Sequence, residues 1–142
     1  MIKIRRNVFE TNSSSTHSIT MCMESEYDAW KRGELYLCIC EYGFSDICRA
    51  VKTAGFKAEQ FYPVEEVKKW YKDHGFEFYT FTDIEEAEDK YSSEDSENVC
   101  FISYDERWHW YKKSNEYFET YASTYTTPSG ENIVAFGAYG HD

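Results

Sequence analysis

The segment from Glu10 to Ser18 carries the side chains best suited to chemistry, because nine consecutive residues bear a hydrogen-bonding group. Hydroxyl and backbone N–H groups in such a run could cradle a phosphate or another anion. His17 could act as a general acid or base, with Glu10 orienting it and Ser13 as the nucleophile. The candidate catalytic residues are Glu10, Ser13 and His17, and the candidate ligand-binding residues are Arg6, Asn12, Ser13, Ser14, Ser15 and His17.

A second interpretation of this polar segment stays open. It matches neither a Gly-rich phosphate loop nor a nucleophile elbow. Its Ser and Asn side chains could simply hydrogen-bond their own backbone in a solvated hairpin loop. The sequence therefore predicts a polar loop between two strands and leaves its role undecided.

The charge of the chain restricts its partners. The formal net charge of the 142 residues is −11. Phosphate contacts and anionic lipid surfaces both require a positive field, so direct nucleic-acid binding and membrane binding are disfavoured. A basic partner is favoured instead, and ordinary solubility is the simpler alternative.

The acidic residues cluster in the stretch 83–97, where a single Lys90 faces many carboxylates. Carboxylates spaced along a helix could imitate a phosphate backbone for a basic groove, although charge runs are commonly only solvated faces. Aromatic side chains further along could anchor such a contact. The candidate partner-binding residues are Asp83, Glu85, Glu86, Glu88, Asp89, Glu94, Asp95, Glu97, Trp108 and Trp110.

The five cysteines indicate a reducing compartment with free thiols, since their number is odd and no signal peptide or long apolar run is present. Cys38 and Cys40 would face the same way in a strand. A zinc site would need a second pair of ligands at suitable spacing. We therefore expect small core residues and predict neither a metal nor another cofactor; the histidines also lack ligand spacing.

The alternation of apolar and polar residues predicts one α+β domain over residues 1–142, with a mostly antiparallel sheet and three or four short helices on one side. Pro128-Ser129-Gly130 predicts the turn of a C-terminal β-hairpin. The expected strands are Met1–Arg6, Ile19–Met23, a central Leu35–Cys40, Phe76–Thr82, Val99–Tyr104, and the hairpin strands Tyr117–Thr127 and Asn132–Tyr139. The expected helices are Glu26–Arg32 capped by Ser25, Asp46–Ala54 capped by Ser45, a helix opened by Pro63, and Asp83–Tyr91, followed by a flexible Ser92–Glu97.

Two strings resemble a group of small proteins from phages and mobile elements of Gram-positive bacteria. The first is Arg-Asn-Val-Phe-Glu-Thr-Asn-Ser-Ser-Ser-Thr-His-Ser over residues 6–18, and the second is Tyr-Asp-Ala-Trp-Lys-Arg-Gly-Glu over residues 27–34. The resemblance covers roughly the first quarter of the chain. By analogy of class it implies a host-takeover or anti-defence context, which includes anti-CRISPR proteins.

The leading hypothesis is a non-enzymatic, acidic binding protein that inhibits a nucleic-acid-handling defence complex by mimicking nucleic acid. Its partner would be a basic protein or ribonucleoprotein in the cytoplasm of the host bacterium. The alternative is a small enzyme or nucleotide-sequestering protein that uses the polar segment. A virion or scaffold component is a third interpretation, and the sequence leaves the oligomeric state open.

Overall fold

The computed structural model describes residues 7–10, 15–40, 45–87, 89–91, 93–108 and 118–141, with the backbone alone for 7–10, 15–18, 93–94, 118–120 and 139–141. The fold is α+β, and the C-terminal strands form a hairpin, both as the sequence predicts. The strands are divided between two antiparallel sheets rather than gathered in one. The predicted strand Met1–Arg6 lies outside the described residues.

The four-stranded sheet contains both ends of the chain. Its strands are β1 (Asn7–Glu10), β2 (Ser15–Met23), β6 (Phe118–Thr126) and β7 (Asn132–His141), in the order β1-β2-β7-β6. The register pairs Thr20 with Phe136 and Cys22 with Val134. These four side chains are buried, so one side of the sheet covers the core.

The three-stranded sheet has β3 (Leu35–Cys38) at its centre, between β4 (Phe61–Pro63) and β5 (Phe101–Ile102). The predicted central position of this strand is confirmed. Its side chains alternate between two core clusters: Leu37 belongs to one, whereas Cys38 and Cys40 belong to the other. β3 therefore forms a wall that both clusters share.

The described helices are α1 (Glu24–Lys31), α2 (Asp46–Thr53), α3 (Val64–Asp73) and α4 (Phe81–Glu86), with a 3-10 helix at Ser93–Asn98 and a further helical segment at residues 104–108. Two of them begin where the local signals predict. Ser45 caps α2 as predicted, because its Oγ accepts a hydrogen bond from Cys48 N at 3.1 Å. Pro63 precedes α3, also as predicted.

Several local predictions are wrong. Tyr104, predicted to end the strand Val99–Tyr104, lies in the helical segment 104–108, and the strand itself is Phe101–Ile102. Ser25 lies inside α1, which begins one residue earlier, instead of capping it. Residues 76–80 are not a strand, because Thr80 and Asp83 form a capping box that starts α4 at Phe81, and Phe76 and Phe78 pack against the core. The segment expected to be flexible after residue 91 contains the 3-10 helix.

Aromatic rings occupy the place that Leu has in most cores. The chain has thirteen Tyr, ten Phe and four Trp. The fully buried Trp30 packs with ring centroids 5.2 Å from both Tyr104 and Phe136, and its Nε1 donates to the carbonyl of Ile102 at 3.2 Å. α1 is thereby fixed to both sheets.

A buried polar contact also connects the two sheets. Thr20 Oγ1, on β2, donates to Glu59 Oε2 at 2.5 Å, and Arg107 Nη2 lies 3.9 Å from Glu59 Oε1. Glu59 has a φ of 66°, and its N–H donates to the carbonyl of Cys38 at 2.8 Å. A left-handed residue is thus held in place by its backbone and by its buried carboxylate.

Removing the hydroxyl of Thr20 should show how much its hydrogen bond to Glu59 contributes to stability. We expect Thr20→Val to lower the free energy of unfolding by about 2 kcal/mol, because the buried carboxylate loses a donor that water cannot replace. Urea denaturation measures the change. The exposed Thr124→Val on β6 is the matched control; equal effects for the two substitutions would contradict a specific role for the contact.

Because two free thiols are buried, we expect the free energy of unfolding to decrease at alkaline pH. Burial raises the pKa of Cys22 and of Cys38 to about 12, whereas thiols of the unfolded chain ionise near 9.0. Their contribution is therefore complete below pH 9 and is lost as the pH rises towards 12. We expect a decrease of at most about 1.4 kcal/mol per pH unit for each thiol.

Urea denaturation across this range compares the natural chain with the double variant Cys22→Ala/Cys38→Ala. The double variant should show a shallower decline of the free energy of unfolding. Identical slopes would contradict the assignment to these thiols.

Candidate functional site

Where the structure describes the polar segment Glu10–Ser18, its backbone is strand. Glu10 ends β1, and Ser15 and His17 lie on β2. The register pairs His17 with Phe9 and Tyr139, and Ser15 with His141. A loop was expected here, but backbone pairing on both edges of β2 outweighs the polar side chains. The candidate residues Arg6, Asn12, Ser13 and Ser14 lie outside the described residues, so the anion cradle stays a prediction.

The acidic stretch lies on α4, the residues after it and the 3-10 helix. Asp83, Glu86, Asp89 and Glu97 are exposed, whereas Glu85 is half-buried. Asp83 Oδ2 also accepts from Thr80 N at 2.8 Å, so one carboxylate has a local structural role. Of the remaining candidates, Asp95 is half-buried, Glu94 is described by its backbone alone, and Glu88 lies outside the described residues.

A first cleft, of about 300 Å³, has Asp46 of α2 and Glu77 among its lining residues. Lys90 Nζ lies 2.8 Å from Glu77 Oε1, and this ammonium lowers the pKa of Glu77. Asp46 forms an ion pair with Arg49. The other lining residues are Ile47, Phe76, Tyr79 and Asn98.

A second cleft, of about 500 Å³, is lined by Thr82, Glu85, Ser103, Asp105 and Glu106. Glu106 is buried, and its Oε1 accepts from the N–H and the hydroxyl of Ser103 at 3.2 and 3.0 Å. Asp105 and Glu106 are not among the site residues predicted from the sequence. The pattern Ser103-x-x-Glu106 is a capping-box signal that would have predicted a helix start there.

The pKa of Tyr36 is raised by carboxylates that lie on separate parts of the fold. Burial raises the pKa of its hydroxyl, and Glu106, Asp83 and Glu65 raise it further. Burial likewise raises the pKa of Tyr79, and the negative charges of Asp95 and Glu77 raise it further. The carboxylates that raise the pKa of Tyr36 or Tyr79, those that line the two clefts, and Glu86 of α4 are together called the acidic region. Its members are Asp46, Glu65, Glu77, Asp83, Glu85, Glu86, Asp95, Asp105 and Glu106.

Trp108 was expected to anchor a partner, but its ring contributes to the core. It packs with ring centroids 5.7 Å from Tyr104 and 6.1 Å from Phe136. The side chain is half-buried, and a partner-binding role for it stays a prediction. Trp110 lies outside the described residues.

Three cysteines that are far apart in sequence meet in the structure. Cys40 and Cys100 form a disulfide, and the free thiol of Cys48 lies beside both sulfurs. The expectation of free thiols is therefore wrong for Cys40 and Cys100, while Cys22 and Cys38 are free and buried as expected. Spacing alone did not show this cluster because its members come from different elements.

No family model matches the chain, and neither a curated protein nor a solved structure gives a match. Among the helices that the structure describes, none has the length and apolar character needed to cross a bilayer.

Neutralising one carboxylate of the acidic region should change the titration of Tyr36. We expect Glu65→Gln to shift the pKa of Tyr36 downward, towards its ordinary value, because one of the three charges that raise it is removed. NMR titration of chains with labelled tyrosine measures this shift. Glu131→Gln, in the turn of the C-terminal hairpin, should leave it unchanged; equal shifts would contradict a local origin.

Proposed function

We propose that this chain is a binding protein that presents the acidic region to a basic groove on a nucleic-acid-handling protein. The observation that supports this proposal is that carboxylates from separate elements line two clefts and together raise the pKa of one tyrosine. Glu65 of α3, Asp83 of α4 and Glu106 act on one tyrosine, although they lie far apart in sequence.

The arrangement suits recognition of cations over an extended surface. The second cleft, lined by Glu85, Asp105 and Glu106, offers a place where a Lys or Arg side chain of a partner can enter. In the first cleft, Glu77 and Asp46 already pair with Lys90 and Arg49, so a cation of the partner would have to displace these side chains. The net charge of −11 adds a long-range attraction that speeds encounter with a positive surface.

The resemblance of residues 6–18 to phage and mobile-element proteins suggests the class of partner. A phage protein with a negative surface would benefit from occupying the groove in which a host defence complex holds DNA or RNA. The proposed activity is therefore anti-CRISPR-like inhibition by nucleic-acid mimicry in the cytoplasm of the host bacterium. Bond-making chemistry has no part in this proposal.

The test uses purified bacterial RNA-guided defence complexes and measures the binding of the chain with and without target DNA. We expect competition with DNA, and an affinity that falls steeply when sodium chloride is raised from about 50 to about 300 mM. Simultaneous binding of chain and DNA, or no binding to any complex at the lower salt concentration, would contradict the proposal.

Charge-neutralising variants then locate the surface. Glu86→Gln/Asp105→Asn removes two exposed charges of the acidic region, and we expect an affinity about fivefold lower at low salt. Glu34→Gln/Glu131→Gln removes two exposed charges elsewhere and is the matched control. Equal losses for the two variants would show that net charge, rather than this surface, drives the binding.

A further inference from the structure

We propose that Cys40, Cys48 and Cys100 form a thiol–disulfide exchange centre in which Cys48 is the attacking thiol. Cys48 Sγ lies 3.1 Å from Cys40 Sγ and 3.3 Å from Cys100 Sγ. The free thiol thus touches both sulfurs of the disulfide. Exchange proceeds by attack of a thiolate on a disulfide sulfur in line with the bond that breaks, so the reacting sulfurs are already in contact and only the direction of approach has to change.

The positions of the three cysteines are set by backbone hydrogen bonds. Cys40 follows β3 and Cys100 precedes β5, and the N–H of Ile39 donates to the carbonyl of Cys100 at 2.8 Å. Cys48 lies in the first turn of α2, where its N–H donates to Ser45 Oγ at 3.1 Å. Cys48 is therefore carried by a helix, and Cys40 and Cys100 lie directly beside the paired strands β3 and β5.

The cluster is shielded from bulk reagents, which favours reaction between its own members. Cys40, Cys48 and Cys100 are 4%, 6% and 1% exposed. Ile47, which precedes Cys48, and Asn98, two residues before Cys100, both line the first cleft. The first cleft is therefore lined by residues that are close in sequence to two of the three cysteines.

The exchange step is balanced within the protein. Cys48 gives its proton to water, and the thiolate attacks Cys40 Sγ to form a Cys40–Cys48 bond. The Cys40–Cys100 bond breaks, and Cys100 leaves as a thiolate that takes up a proton. Attack on Cys100 Sγ forms Cys48–Cys100 in the same way and releases Cys40.

Backbone carbonyls are available for the S–H groups on both sides of this step. The carbonyl of Glu97 lies 3.6 Å from Cys48 Sγ, and the carbonyl of Asn98 lies 3.7 Å from Cys100 Sγ. The first disulfide forms from thiols when a low-molecular-weight disulfide of the glutathione class accepts two electrons and becomes two thiols. Afterwards the exchange changes only the pairing, since nothing is oxidised or reduced.

The exchange changes which parts of the fold are joined by a disulfide. The Cys40–Cys100 disulfide connects the neighbouring strands β3 and β5 across a sequence separation of 60 residues. Either disulfide of Cys48 instead connects α2 to the three-stranded sheet. The centre therefore transfers a covalent bond between a strand pair and a helix.

The experiment begins with the natural chain, folded, oxidised in a glutathione redox buffer and freed of the buffer. After incubation at mildly alkaline pH, thiols are blocked with N-ethylmaleimide and disulfides are mapped by peptide mass spectrometry. We expect Cys40–Cys100 together with a Cys48-containing disulfide, at a ratio that becomes constant with time. Cys40–Cys100 alone at every time would overturn the proposal.

Single cysteine substitutions provide a second test of the proposed exchange centre. In the same redox buffer, Cys100→Ala should form Cys40–Cys48, and Cys40→Ala should form Cys48–Cys100. Cys38→Ala, which removes a buried thiol outside the cluster, should behave as the natural chain does. The proposal fails if Cys100→Ala and Cys40→Ala, shown to be folded by circular dichroism, both keep all four of their remaining cysteines as free thiols.

A metal site is the competing explanation for three convergent sulfurs. Elemental analysis of the reduced protein after incubation with zinc, followed by dialysis, distinguishes the two. Retention of one zinc ion per chain that is abolished by Cys48→Ala would overturn the exchange proposal. If no zinc is retained and the Cys48-containing disulfides described above are found, the exchange proposal is supported.

Discussion

Burial of both sides of β3 is the constraint on which the rest of this structure depends. Leu37 packs into one aromatic cluster and Cys38 into the other, and both side chains are fully buried. Hydrogen bonding to β4 on one edge and β5 on the other leaves this strand without an exposed backbone. The helices and the larger sheet cover its two sides, and removing either cover would expose aromatic rings to water.

This arrangement explains why the acidic surface can exist without weakening the fold. The core depends on ring packing around Trp30 and on the buried contact between Thr20 and Glu59, neither of which involves the exposed carboxylates. Several carboxylates also satisfy backbone donors at helix starts, as Asp83 does at α4 and Glu106 does near Ser103. Negative charge is thus tolerated where a helix N-terminus favours it.

α2 belongs to both of the sites described above. Asp46, in its first turn, lines the first cleft, and Cys48, two residues later, contacts the disulfide between Cys40 and Cys100. The Ser45 cap orients the turn that carries both side chains. A short, well-capped helix is a suitable carrier because its side-chain directions are fixed by the backbone.

Local sequence was sufficient for the α+β class, the C-terminal hairpin, the central strand and the Ser45 cap, because alternation, turn residues and capping depend on neighbours a few residues away. Residues 76–80 show the limit of that information: their alternating aromatics suit a strand, yet they pack on the core without a strand partner. The meeting of Cys40, Cys48 and Cys100, and the convergence of Glu65, Asp83 and Glu106 on Tyr36, required the tertiary structure. Contacts between residues that are tens of positions apart depend on how the elements pack, and no local pattern encodes that packing.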